Sequence, residues 1–349
     1  MKRLHIFTPL VPTPTKQYDA ALWSRRSVFA FALLIAASCG GGSKSATAPT
    51  PTPTPAPLPW TLSGQVRATN TNTAVSRAHV DAFIAAADTD AGGAFTLTAP
   101  TGPSGNQAFT ATAAGYITRE SVIRLPRADS LTIDLISTAA PFDQTFYSQI
   151  ARDAKDTPDA DYPLYRWSSP LKFYLRTQDE NGRPLTNEIL DTIRKGIREG
   201  VQYYTNDTYQ AVIEEGPEKR PERTGYVNVE AKQVIPEGDY CGLSSSVGGN
   251  PMTIQLRIDV CGCGRIKVPV DLVEHEVGHA VGMFHVDGAD NIMNATSTFN
   301  CRDVIPTAKE RYHAAIMYAR VRGNRSPDRD PGGTYLARPV EGPAPGPRP

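Results

Sequence analysis

Between residue 60 and about residue 137 the chain alternates apolar and polar positions in short runs, at 61–67, 78–84, 94–98, 108–113, 120–125 and 130–135, broken by Gly, Asp, Asn, Ser and Pro. A period of two puts every second side chain on one face, so each run predicts a half-buried strand. Their regular spacing predicts a small β-sandwich over 60–138. After residue 141 the period changes. Ile189, Ile193, Ile197, Val201 and Tyr204 recur at three- and four-residue intervals, predicting a helix over 187–204 with one apolar face. Runs at 171–176 and 226–230 read as strands, and Ile254, Leu256, Ile258 and Val260 alternate over 253–260. A second helix, starting near Val270, carries the apolar stripe Val273, Val277, Ala280 and Phe284. A third, over 306–320, has Tyr312, Ile316 and Ala319 near one face and holds His313 as a structural residue. The predicted fold class is multidomain: a small all-β sandwich followed by an α+β domain over 141–325.

The ends of the chain lack this patterning. Arg25 and Arg26 precede the apolar run 28–37, which is too short to span a bilayer as a helix, so residues 1–38 read as a signal peptide. Residues 39–59 are Gly-, Ser-, Thr- and Pro-rich with almost no charge, an extended semi-rigid linker. Residues 326–349, rich in Pro, Gly and Arg, read as a disordered tail.

Composition narrows the function classes. The 349 residues are 40% hydrophobic and 21% charged, with 36 basic residues balancing 36 acidic ones. No long-range field then favours nucleic acid or an anionic membrane, and any partner must be read from a site. Beyond Cys39 there are four cysteines, Cys241, Cys261, Cys263 and Cys301, all in the second domain. An even number in an exported chain reads as two disulfides. Three pairings are open, with Cys261 and Cys263 each expected to reach Cys241 or Cys301. A structural zinc site would call for paired CxxC spacing, which is absent.

The chemistry concentrates in residues 275–285, His-Glu-Val-Gly-His-Ala-Val-Gly-Met-Phe-His, a full match to HExxHxxGxxH. Histidines four apart share one helical face, so His275 and His279 converge on one ion. Gly282 lets the chain turn and bring back His285 as a third donor. Three neutral imidazoles leave a fourth position open, the pattern of a catalytic zinc rather than a structural one. Glu276 lies beside the ligands without joining them, where a carboxylate can serve as base toward water.

Three resemblances follow from quoted residues. HExxHxxGxxH, with Met293 eight residues after His285 in Asn291-Ile292-Met293-Asn294, resembles the metzincin zinc metalloproteases, whose Met-turn places a methionine beneath the metal. The spacing is matrixin-like. Ala295 stands where some members carry a tyrosine ligand, and Val286 departs from the better-known subfamilies. The resemblance implies a zincin-type catalytic domain, one catalytic Zn²⁺, a peptide or protein substrate and endopeptidase activity. It also implies a substrate-binding edge strand, for which 253–260 is a candidate alongside its reading as an interior strand. Ser63-Gly64-Gln65-Val66, Ala78-His79-Val80, Thr89 to Phe95 and Ala114-Gly115-Tyr116 resemble the carboxypeptidase regulatory-like domain, a transthyretin-like sandwich. Ala36-Ala37-Ser38-Cys39 resembles a bacterial lipobox, which implies lipidation of Cys39 and an outer-membrane or surface location. Simple secretion is the competing reading. The alternative function is a surface-anchored binding protein whose metal domain is vestigial. Asp287 and Asp290 lie near the motif without EF-hand-like spacing, so the sequence is silent on calcium.

Overall fold

In the computed structural model the alternating runs between residues 60 and 137 form two sheets that share one apolar core. The structure describes residues 60–82, 85–102, 104–236, 240–258, 268–295 and 305–332, all within the compact unit Ala56–Pro349. The signal peptide, the linker, Cys39, Cys261, Cys263, Cys301 and the tail beyond 332 lie outside the described residues. Among the described residues no helix is long and apolar enough to cross a membrane.

In the first sheet β1 (Trp60–Ala68) lies between β4 (Ala94–Ala99), antiparallel to it, and β7 (Leu131–Leu135), parallel to it. The second sheet runs β3 (Ala86–Asp88), β2 (His79–Asp81), β5 (Gly105–Thr112), β6 (Arg119–Leu125), antiparallel throughout. Alternate residues of both sheets, among them Val66, Leu97, Val80, Ala111, Ile123 and Ile133, bury against one another. The run predicted at 78–84 ends earlier, at Asp81, and its pairing partner β3 was not foreseen. Exposed His79 bonds Asp88 across that hairpin at 2.7 Å.

The register of period two also separates the two cores. Leu135 buries into the sandwich, whereas its neighbour Ile136 belongs to the second core, which continues through α1 (Gln144–Arg152) and the α+β region. That region is built on a five-stranded sheet in the order β11 (Gly242–Ser244), β12 (Met252–Arg257), β10 (Tyr226–Lys232), β8 (Lys172–Arg176), β9 (Val212–Gly216). Its strands are parallel except β11. β12 is paired on both sides, so the reading of 253–260 as the free edge strand is corrected: the edge belongs to β11. Three residues are too few to show alternation, which is why that strand was not visible in sequence.

Three further helices complete the region: α2 (Asn187–Tyr204), α3 (Val270–Val281) and α4 (Ala308–Tyr318). Thr186 caps α2 by accepting from the Ile189 N–H, and the face predicted from periodicity, Ile189 to Tyr204, is the buried one. At α4, Thr307 and Glu310 form a reciprocal capping box. α2 packs on α3 through glycines. A Cβ on Gly196 would lie 2.5 Å from Val273 Cβ, and one on Gly200 would lie 2.8 Å from Val277 Cγ1. Val273 and Val277 of the apolar stripe therefore sit directly on the α2 backbone, whereas Phe284 lies beyond the end of α3 and meets Tyr162 and Tyr165.

The C-terminal boundary differs from the sequence expectation of disorder from residue 326. Within residues 326–332, Asp328 and Asp330 are buried because they meet buried cations: Arg320 Nε donates to Asp328 Oδ1 at 2.8 Å, and Arg119 pairs with Asp330 at 2.8 Å. Arg320 also donates to Thr69 Oγ1 and to the Asp134 carbonyl, both in the sandwich. Asn324 bonds Asp328 and Asp330, and accepts from Arg152 of α1. Charges this deeply buried persist only when paired, so this network couples the sandwich to the α+β region.

The glycine seam sets the sign of a substitution. Alanine is worth about 1 kcal/mol over glycine in an unhindered helix interior, whereas overpacking a tight core costs about 1–3 kcal/mol. Gly196→Ala is therefore expected to destabilise the protein by about 1–2 kcal/mol in urea unfolding. A stabilised variant would show that α2 and α3 are not in this contact.

Candidate metal centre

α3 presents His275, Glu276 and His279, and ends at Gly282, whose φ of +102° only glycine adopts without strain. A Cβ there would lie 1.4 Å from the Tyr165 carbonyl oxygen, so the turn is closed by an incoming strand of backbone as well as by its own dihedral. The chain then reverses and brings His285 back to the helix. One donor atom from each of His275, His279 and His285 lies within 4.8 Å of the other two, a group able to hold a metal ion. His275 and His279 are buried, while the His285 side chain is 23% exposed, so the group is open to solvent on the His285 side.

Each imidazole is fixed from behind. His275 Nδ1 lies 2.7 Å from the Ile292 carbonyl, His279 Nδ1 2.9 Å from the Met283 carbonyl, and His285 Nδ1 2.7 Å from Asp156 Oδ2. A carbonyl oxygen can only accept, so Nδ1 must carry the proton in His275 and His279, and their Nε2 atoms bear lone pairs. Those two Nε2 atoms face each other at 3.2 Å. Protonation does not relieve the contact readily. Burial, then the nearby His285, pushes His275 down to about 4 despite its bond to Ile292. The same two causes, with His275 added, hold His279 well below the ordinary histidine value. Two neutral acceptors at this separation are an arrangement that a cation satisfies.

Met293, fully buried, lies against the histidine-bearing face of α3: a Cβ on Gly278 would come within 2.3 Å of its Sδ. Its N–H donates to Glu310 Oε1 at 2.8 Å and its carbonyl accepts from Val286 N at 3.0 Å. The capping box of α4 thus also anchors the turn whose Ile292 carbonyl orients His275. Lys155 Nζ donates to the Val286 carbonyl and pairs with Asp287, and Gln149 holds Asp287 as well. Asp287 is thereby committed to neighbouring side chains.

Glu276 is 3% exposed, and burial raises its carboxyl to about 8, opposed by a bond from Ser244. Ser244 Oγ lies 2.7 Å from Glu276 Oε2 and 3.1 Å from the Glu276 carbonyl oxygen. Asp156 is held below its usual range, first by its bond to His285.

Among the described residues the sequence-derived set His275, Glu276, His279, His285 and Met293 therefore converges in one place. Cys241 sits immediately before β11 and is half-buried. The other four cysteines lie outside the described residues. Sequence reasoning missed Asp156, Ser244, Gly242 and Glu310. Asp156 is 129 residues from His285, and no short-range pattern marks it. Glu310 carried a signal, the Thr-x-x-Glu spacing from Thr307.

No protein-family model matches the chain, and no curated protein sequence matches it. Among solved structures, metalloproteinase-II from Bacteroides fragilis is similar at 11% identity over 65% of this chain and 89% of that one, with a TM-score of 0.30. The GM1-bound form of the ECX AB5 holotoxin is similar at 12% identity over 46% of this chain and 86% of that one, with a TM-score of 0.32. A type II cohesin–X-dockerin complex from Acetivibrio cellulolyticus reaches 24% identity over 24% of this chain and 55% of that one, at a TM-score of 0.16. Likenesses this distant assign no family.

Carboxylates that orient metal-binding histidines typically contribute 10–100-fold to affinity. Asp156→Asn is expected to weaken binding of Zn²⁺ by about that factor in a chelator-competition titration. Unchanged affinity would remove Asp156 from the site.

Proposed function

We propose that the chain is a zinc-dependent endopeptidase of the metzincin type, with Zn²⁺ held by His275, His279 and His285 and Glu276 as general base. The observation that carries this reading is the pair of buried Nε2 acceptors facing each other, with a third imidazole beside them. The donor set fits zinc: three imidazole nitrogens, fixed by carbonyl or carboxylate partners, with His285 partly open to solvent. Zinc, when bound, supplies a Lewis acid toward the scissile carbonyl and makes water a nucleophile near neutral pH.

The remaining steps belong to the protein. Glu276 accepts a proton from the attacking water on its carboxylate as the new C–O bond forms, and returns it to the amine nitrogen as the C–N bond breaks. Burial raises its carboxyl, which makes the carboxylate form a stronger acceptor for the proton of water. Among the described residues β11 is the terminal strand of its sheet and adjoins Glu276, so its outer edge offers backbone groups to an extended peptide. Met293 serves as the apolar floor under the histidines. An inactive binding protein would have no use for a buried glutamate beside an intact histidine triad, which favours the enzyme.

In this reading the chain is exported. Cys39 would carry a lipid anchor, residues 39–59 would space the folded part from the membrane, and the sandwich would be a non-catalytic module.

Glu276→Gln is expected to lower hydrolysis of denatured casein by about 10³-fold or more while one equivalent of zinc stays bound. Wild-type hydrolysis should be abolished by a chelator and restored by zinc. A fully active Glu276→Gln protein would overturn the mechanism.

A further inference from the structure

Gly242 and Ser244 are two residues apart on β11, so both face the same side of the strand, and both meet Glu276. Ser244 Oγ donates to Glu276 Oε2 at 2.7 Å. A Cβ on Gly242 would lie 2.3 Å from Glu276 Oε1 and 2.9 Å from its Cδ, so any side chain there would occupy the carboxylate's place. Among hydrogen bonds between described side chains, the one from Ser244 is the bond Glu276 receives.

The helix fixes only the Cα of a glutamate, and three torsions separate that atom from the carboxylate. A base must instead be held in productive geometry to be effective. We infer that Gly242 and Ser244 form the mount for the Glu276 carboxylate, Gly242 by leaving its space and Ser244 by holding Oε2. They are positioning residues that act through Glu276, and the inference rests on Glu276 being the base. It adds a coupling: the strand offered to the peptide is the strand that orients the base, so displacement of β11 moves both.

The test uses the full zinc-loaded chain and a quenched fluorescent peptide that the wild-type protein cleaves. Ser244→Ala is expected to lower kcat about tenfold, the loss of one hydrogen bond to a charged group, with KM and zinc content unchanged. Ser244→Thr, which keeps the hydroxyl, should recover most of the rate, and Gly242→Ala should lose at least as much as Ser244→Ala. An unchanged kcat in Ser244→Ala, or a loss confined to KM, overturns the assignment. A crystal structure of the zinc-loaded wild-type chain supplies a readout independent of activity: Oε2 within hydrogen-bonding distance of Ser244 Oγ supports the mount. A carboxylate turned away from β11 overturns it. Failure of the wild-type chain to cleave any peptide would instead count against the endopeptidase reading, with the crystal structure still deciding the mount.

Discussion

Two backbone carbonyls set the chemistry of this protein. Ile292 O and Met283 O each accept from an imidazole Nδ1, which leaves the Nε2 lone pairs of His275 and His279 directed at each other inside a buried site. The Met283 carbonyl is placed by the turn at Gly282, and the Ile292 carbonyl by a turn tied to Glu310 and Val286. Glu310 in turn belongs to the cap of α4, so a helix end remote in sequence fixes the orientation of a histidine.

Close backbone approach is the second constraint. Gly196 and Gly200 let α2 rest on Val273 and Val277, Gly278 admits Met293 Sδ, and Gly242 admits the Glu276 carboxylate. α3 is thus approached closely on the core side, on the floor and on the strand side. His275 and His279 both ride on α3, so these contacts place the pair as a unit relative to His285. The Arg320–Asp328 and Arg119–Asp330 pairs extend the same frame to the sandwich, so the β-module is structurally continuous with the region that carries the histidines.

Local patterns were legible in the sequence and long-range ones were not. Ile189 to Tyr204 announced α2, the alternation at 61–67 and 130–135 announced β1 and β7, and the histidine motif announced its own convergence because all its spacings are short. β11 could not be read, being three residues without alternation, and with it went Ser244 and Gly242. The interior position of β12 depended on that missing neighbour. Asp156 and Asp330 act on His285 and Arg119, each more than a hundred residues away, and nothing in a single sequence pairs them. Proline and glycine near residue 326 suggested disorder because composition does not reveal that two acids there meet buried arginines.

The most direct test of the metal centre is anomalous diffraction at the zinc edge on crystals of the full chain, paired with metal analysis of the same preparation. The expected result is one zinc per chain, about 2.0–2.1 Å from Nε2 of each of His275, His279 and His285. A chain that stays metal-free after reconstitution with zinc, or an anomalous peak away from these three nitrogens, would contradict the account.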